Sequence, residues 1–136
     1  MSNDNFKVEI PEVNTNSGLN LCCGNKKIYI QSLRLFVSNM PVTLNKMRNV
    51  TENNLKDYLI SIHSLKGMCD YIGAEETRET AKQLEDIAGA GDLNAILERN
   101  ENFISHTEKI IGSIQAWMNN NSSSIDAMFN PGQKNG

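Results

Sequence analysis

The chain has 136 residues, with 13 basic and 16 acidic side chains, a net charge of −3 and 39% hydrophobic residues. That length suits one domain with a modest single core, and without a basic run it argues against a nucleic-acid partner. No apolar stretch approaches the roughly 18 residues of a membrane span, and the opening MSNDNFKVEIPE is polar and acidic, with no signal-peptide core.

Cys22, Cys23 and Cys69 show no metal-type spacing, and a vicinal pair is poorly placed to bridge itself. Reduced thiols and a cytoplasmic location follow as expectations. Residues 1–16 mix Asn, Asp and Thr around Pro11 and read as a flexible N-terminal segment. A bundle is expected over 17–118, opening with a short extra helical segment. The first main helix covers 25–40, where Tyr29, Leu33, Phe36 and Met40 form one apolar stripe. Pro41 is expected to break or kink it.

Thr51 can cap the next helix, with Glu52 just inside at its positive end. Leu55, Tyr58, Ile62, Leu65, Cys69 and Ile72 repeat there at intervals of three and four, and Gly73 is placed as a left-handed stop. A third helix covers 74–88 with Thr77, Ala81, Leu84 and Ala88 inward. GAGD closes it and supplies Asp92 as the next cap. The fourth helix, to about Met118, carries Leu93, Ile96, Phe103, Ile110, Ile114 and Trp117, interrupted by Asn100 and Thr107. The Asn- and Ser-rich run over 119–136 reads as a disordered tail. Nothing alternates with period two, so the fold class is all-α, an antiparallel up-and-down four-helix bundle.

One stretch of the second long helix, IHSLKGMCDYIG over 62–73, does not serve the core. The buried stripe passes through Ile62 and Leu65, and one residue is about 100° of rotation, so His63 points to the bundle's edge or to solvent. Lys66 and Gly67 follow at i+3 and i+4 on the same side, with Leu59, Ile60 and Asp70 as further neighbours. A glycine inside a helix costs about 1 kcal/mol relative to alanine, which suggests a reason outside stability.

An exposed imidazole, largely neutral near pH 7, offers a nucleophilic nitrogen. A cation one turn away can offset phosphoryl charge. A missing side chain lets a donor approach within the roughly 3.5 Å that reaction needs. The third helix, returning alongside, offers Glu85 to fix the ring. His106 shares a polar face with Arg99, Asn102, Lys109 and Ser113 and reads as solvated. His63 and Asp70 alone are too few ligands for a metal.

At these residues the sequence resembles the histidine-containing phosphotransfer (HPt) domain, whose H-x-L-K-G motif followed by a further G stands here as HSLKGMCDYIG. The resemblance implies that His63 is the phosphoacceptor, Lys66 the supporting lysine, Gly67 the residue that admits the partner, and Gly73 the helix-ending glycine. QLEDIAGAGD resembles the family's LE…GD segment and puts Glu85 where the family carries a Glu or Gln bonded to the ring. Upstream, Gly18, Leu19, Gly24, Tyr29, Leu33 and Phe36 fit the lead-in of domains found at the C-terminal end of hybrid sensor kinases. There Glu12 replaces a glycine, and Cys22 and Cys23 replace small residues.

The implied function is a phosphocarrier, not an enzyme, that relays a phosphoryl group between receiver-domain aspartates through His63. Its partners would be receivers or a hybrid sensor kinase. It would have no cofactor or metal of its own, the Mg²⁺ coming from the receiver, and it would act as a monomer. Docking is expected on Gly67, Leu59, Ile60, Ile28, Leu35 and Asp70. Two other readings are a chemotaxis-type kinase domain phosphorylated by an ATP-binding domain, and an interaction bundle with an inert histidine.

Overall fold

A computed structural model describes residues 6–130. Among them there are six α-helices and no strand: α1 (Thr15–Leu21), α2 (Lys26–Lys46), α3 (Leu55–Ile72), α4 (Glu75–Gly89), α5 (Leu93–Asn120) and α6 (Ser122–Phe129), with a 3₁₀ turn at Glu52–Asn54 ahead of α3. α2 lies beside α3 and α5, and α4 lies beside the same two, which closes a four-helix bundle. The short connections between successive helices require them to run antiparallel.

Local chemistry sets the helix ends. The side chains of Asn14, Asn25 and Asp92 accept from the backbone N–H groups of Ser17, Ile28 and Ala95 at 3.0, 3.1 and 3.2 Å, each satisfying a donor the first helical turn leaves unpaired. Gly73 ends α3 at φ 84°, its N–H donating to Cys69 O at 3.0 Å. α4 starts at once, so the α3–α4 pair is held in close register.

The predicted stripes form the core, apart from Leu55 and Leu93, which are partly buried against it. Tyr29, Leu33, Phe36 and Met40 of α2, Tyr58, Ile62, Leu65, Cys69 and Ile72 of α3, and Thr77, Ala81, Leu84 and Ala88 of α4 are all buried. The two polar interruptions of α5 are buried as well, and both have partners. Asn100 accepts from the Tyr58 hydroxyl at 2.9 Å and donates to Met47 O at 2.8 Å, while the Thr107 hydroxyl donates to Phe103 O at 2.8 Å. Satisfied in this way, Asn100 ties α5 to α3 and to the end of α2 without the penalty of an unpaired buried amide.

Three expectations are corrected. The first main helix does not end at 40, because α2 runs through Pro41 to Lys46 with that residue exposed. The hydrogen bond lost there is outweighed by the packing of Met40, Leu44 and the rest of the stripe. Residues 6–16 are not a loose segment, since Val8 and Ile10 are buried, Phe6 stacks on Trp117 with ring centroids 5.9 Å apart, and Lys26 Nζ donates to Phe6 O at 2.6 Å. Residues 119–130 are not a loose tail either. α6 buries Ile125 and sets Phe129 beneath Arg34 and Lys27, 4.2 and 5.5 Å from its ring centroid. The remainder of both expected segments, 1–5 and 131–136, lies outside the described residues.

The lead-in locks onto the C-terminal end of α3. Asn14 N–H donates to Gly73 O at 2.8 Å, and the Tyr29 hydroxyl donates to Ile72 O at 2.6 Å. Gly18 is buried at this junction, where a Cβ would collide with the Tyr29 ring and the Ile72 carbonyl. Glu12, which stands where the lead-in pattern has a glycine, adopts φ 65°. A non-glycine residue is strained there.

Candidate functional site

α3 and α4 together build the site around His63. The Ile62 and Leu65 side chains anchor α3 in the core, and rotation by one residue leaves the His63 side chain 71% exposed. Across the seam, Leu84 fixes α4 from below and aims Glu85 at the ring. The Glu85 side chain is 18% exposed, and its carboxylate meets His63 Nδ1 through Oε2. Its other oxygen, Oε1, accepts from Lys66 Nζ at 2.7 Å, and the Lys66 side chain is itself only 20% exposed.

The charges define the proton positions. The Lys66 hydrogen bond, with a smaller contribution from His63, holds the Glu85 carboxyl below its ordinary pKa despite the opposing effect of burial. An ionised carboxylate can only accept, so Nδ1 carries the hydrogen of this contact. In the neutral ring the lone pair is then on Nε2, the nitrogen remote from Glu85. The geometry therefore presents a fixed, solvent-facing nucleophilic nitrogen.

Gly67 lies one turn beyond His63, and a Cβ built there meets nothing within 4 Å. No neighbouring helix requires a glycine at that position. Its absent side chain leaves the approach to the ring open, and the apolar residues expected to flank it are exposed. Ile60 is 69% exposed, Leu35 61% and Ile28 47%. Leu59 is half-buried. Asp70 is ion-paired, its Oδ1 accepting from Arg78 Nε at 2.6 Å. It belongs to the charged α3–α4 seam, not to the apolar flank. Lys66, expected to offset an incoming phosphoryl charge, pairs with Glu85 within the seam.

Sequence reasoning missed Tyr71 and Met68. Tyr71 is 65% exposed, and with Met68, Ser32, Leu35, Phe36 and Asn39 it lines a shallow groove of about 260 Å³ between α2 and α3. The signal was present, because 60, 67 and 71 recur at helical spacing on the His63 side. His106 faces a separate groove between α4 and α5, with Glu76, Thr80 and Arg99. Among the described residues no cluster of three or more His, Cys, Asp or Glu could hold a metal ion. No helix of the described residues is long and apolar enough to cross a membrane.

A sequence model of the family described as the Hpt domain matches residues 31–117, which contain α3, α4, most of α2 and most of α5. The chain belongs to the Hpt domain family. Hpt domains are helical phosphocarriers of two-component signal transduction, active in histidine phosphotransfer along phosphorelays and interacting with receiver domains and kinases. No curated protein and no solved structure matches the chain. His63, Lys66, Gly67 and Glu85 all fall inside the Hpt match, whereas α1 and the Gly18 junction precede it.

Proposed function

We propose that this Hpt domain relays a phosphoryl group between the aspartates of two receiver domains, with His63 as the acceptor. The observation that carries the reading is the pairing of His63 Nδ1 with the Glu85 carboxylate on a ring that is otherwise open to solvent. The Nε2 lone pair attacks the phosphorus of a receiver's aspartyl phosphate. A P–N bond forms as the P–O bond breaks, and the receiver's carboxylate leaves. The positive charge that develops on the ring faces Glu85 through Nδ1–H. Attack by a second receiver's aspartate reverses these steps. The Mg²⁺ that neutralises the phosphoryl oxygens comes with the receiver's acidic pocket.

Docking uses the α2 side of the histidine. Ile60, Ile28, Leu35 and Tyr71 give a modest apolar patch of the kind a transient complex buries, and Gly67 leaves room for the aspartate to reach Nε2. Leu59 and Asp70 form the opposite rim. The domain acts as a cytoplasmic monomer without a nucleotide site, and the lead-in over residues 10–36 favours a hybrid sensor kinase as the source of the first receiver.

The donor tests the reading. Incubation with a phosphorylated receiver and Mg²⁺, without ATP, is expected to transfer label to this protein in an acid-labile, base-stable form, and a second receiver is expected to remove it. Label acquired only from an ATP-binding kinase domain would replace the relay with a chemotaxis-type reading. No label from either donor would leave an interaction bundle.

A further inference from the structure

Cys22 and Cys23 are adjacent free thiols on the tight turn between α1 and α2, and phosphotransfer uses neither. The turn is fixed by its backbone. Cys22 and Cys23 donate their N–H groups to Leu19 O and Asn20 O, both at 3.0 Å, and Asn25 N–H closes back on Cys22 O at 2.9 Å. Cys23 takes φ 54°, a left-handed conformation that glycine adopts at lower cost. The thiol at 23 is therefore not a requirement of the turn.

The cysteines differ in access. Cys69 is buried in the core, and burial pushes its thiol up to about 12. Cys23 is exposed, while Cys22 packs against the core from a half-buried position.

What such a pair can hold follows from its spacing. The peptide between them is trans, which sets the Cα atoms about 3.8 Å apart, short of the roughly 4.4–6.8 Å that a disulfide spans. The sulfurs are thus poorly placed to bond to each other. Two thiols are too few for a structural zinc ion, and among the described residues no cluster of three or more His, Cys, Asp or Glu could complete one. A monosubstituted trivalent arsenic has two valences for thiols to fill. With arsenic between them, the sulfurs stand farther apart than in a disulfide.

We propose that Cys22 and Cys23 form a chelating site for monosubstituted trivalent arsenicals. In the reaction with an arsenoxide, R–As=O, both S–H bonds break and two As–S bonds form. The oxygen leaves as water with the two thiol protons, and no atom changes oxidation state. Burial first, and then the proximity of Cys23, raise the Cys22 thiol above its ordinary pKa, so it enters the reaction protonated and supplies one of those protons.

Phenylarsine oxide tests the assignment on the whole chain. One equivalent is expected to consume two of the three thiols, to survive washing with a monothiol, and to be stripped off by a dithiol. Peptide mapping of the wild-type adduct is expected to place it on residues 22–23. The second As–S bond forms intramolecularly, so Cys23→Ser, a change at an exposed position, is expected to weaken retention at least about a hundredfold. Cys69→Ser is expected to leave retention unchanged. An adduct that consumes a single thiol, that maps to Cys69, or that Cys23→Ser retains as tightly as wild type would overturn the assignment. Thermal melts of the unreacted variants separate lost binding from lost fold, and the wild-type mapping decides the matter even where a variant does not fold.

Discussion

Replacing Gly67 separates stability from docking. A Cβ at this position meets nothing within 4 Å, so Gly67→Ala creates no clash with another element. What remains is the helix term, about 1 kcal/mol in favour of alanine in the interior of a helix such as α3. For a domain of this size that raises the melting temperature by about 4 °C. Gly67→Leu also folds, since its side chain projects into open space. A receiver, however, must bring its phosphoryl group within roughly 3.5 Å of Nε2, and a displacement of about 1 Å can cost a hundredfold in rate. Transfer from a phosphorylated receiver to Gly67→Leu is therefore expected to slow at least about a hundredfold, while labelling by phosphoramidate stays within about threefold of wild type. Stopped-flow or gel-based transfer assays on both donors, beside thermal melts, give the comparison. A Gly67→Ala protein that melts lower, or a Gly67→Leu protein that accepts from the receiver at the wild-type rate, would refute the reasoning.

Two predictions concern the segments outside the four main helices. Glu12→Gly relieves a left-handed backbone at φ 65°, worth about 1–2 kcal/mol for an ordinary residue and partly offset by the entropy of a new glycine. The expected gain is about 0.5–1 kcal/mol, seen as a higher urea midpoint with an unchanged slope, and a lower midpoint would show that the strain is not there. Ending the chain at Asn121 removes the buried Ile125 and the Phe129 contacts with Arg34 and Lys27. A loss of about 2 kcal/mol is expected from the isoleucine alone, and an unchanged melting curve would mean that α6 does not pack on the bundle in solution.

Most of the bundle was legible because its signals are local. The apolar stripes through Tyr29 to Met40 and Leu55 to Ile72, the stop at Gly73 and the cap at Asp92 each depend on residues within a turn or two. What escaped depended on partners distant in the chain. Asn100 looks like an interruption until Tyr58 and Met47 supply its hydrogen bonds, from 42 and 53 residues away. The polar composition around Pro11 and along 119–130 hides a few apolar residues, Val8, Ile10 and Ile125, that suffice to pin those segments down. In the site, rotation along α3 placed His63 outward and Gly67 beside it, and the antiparallel return of α4 offered Glu85. The allegiance of Lys66 was not readable, because its choice of Glu85 over open solvent requires the actual spacing of two helices.

The central claim, that Nε2 of His63 receives the phosphoryl group, is most directly tested by phosphorus NMR of protein carrying ¹⁵N-labelled histidine after reaction with a phosphorylated receiver. A single phosphoramidate resonance coupled to Nε2 of His63, absent from the His63→Gln variant although that variant melts like the wild type, is the result predicted. Phosphorus coupled to Nδ1 of that ring, bound to His106, or still present in His63→Gln would contradict it.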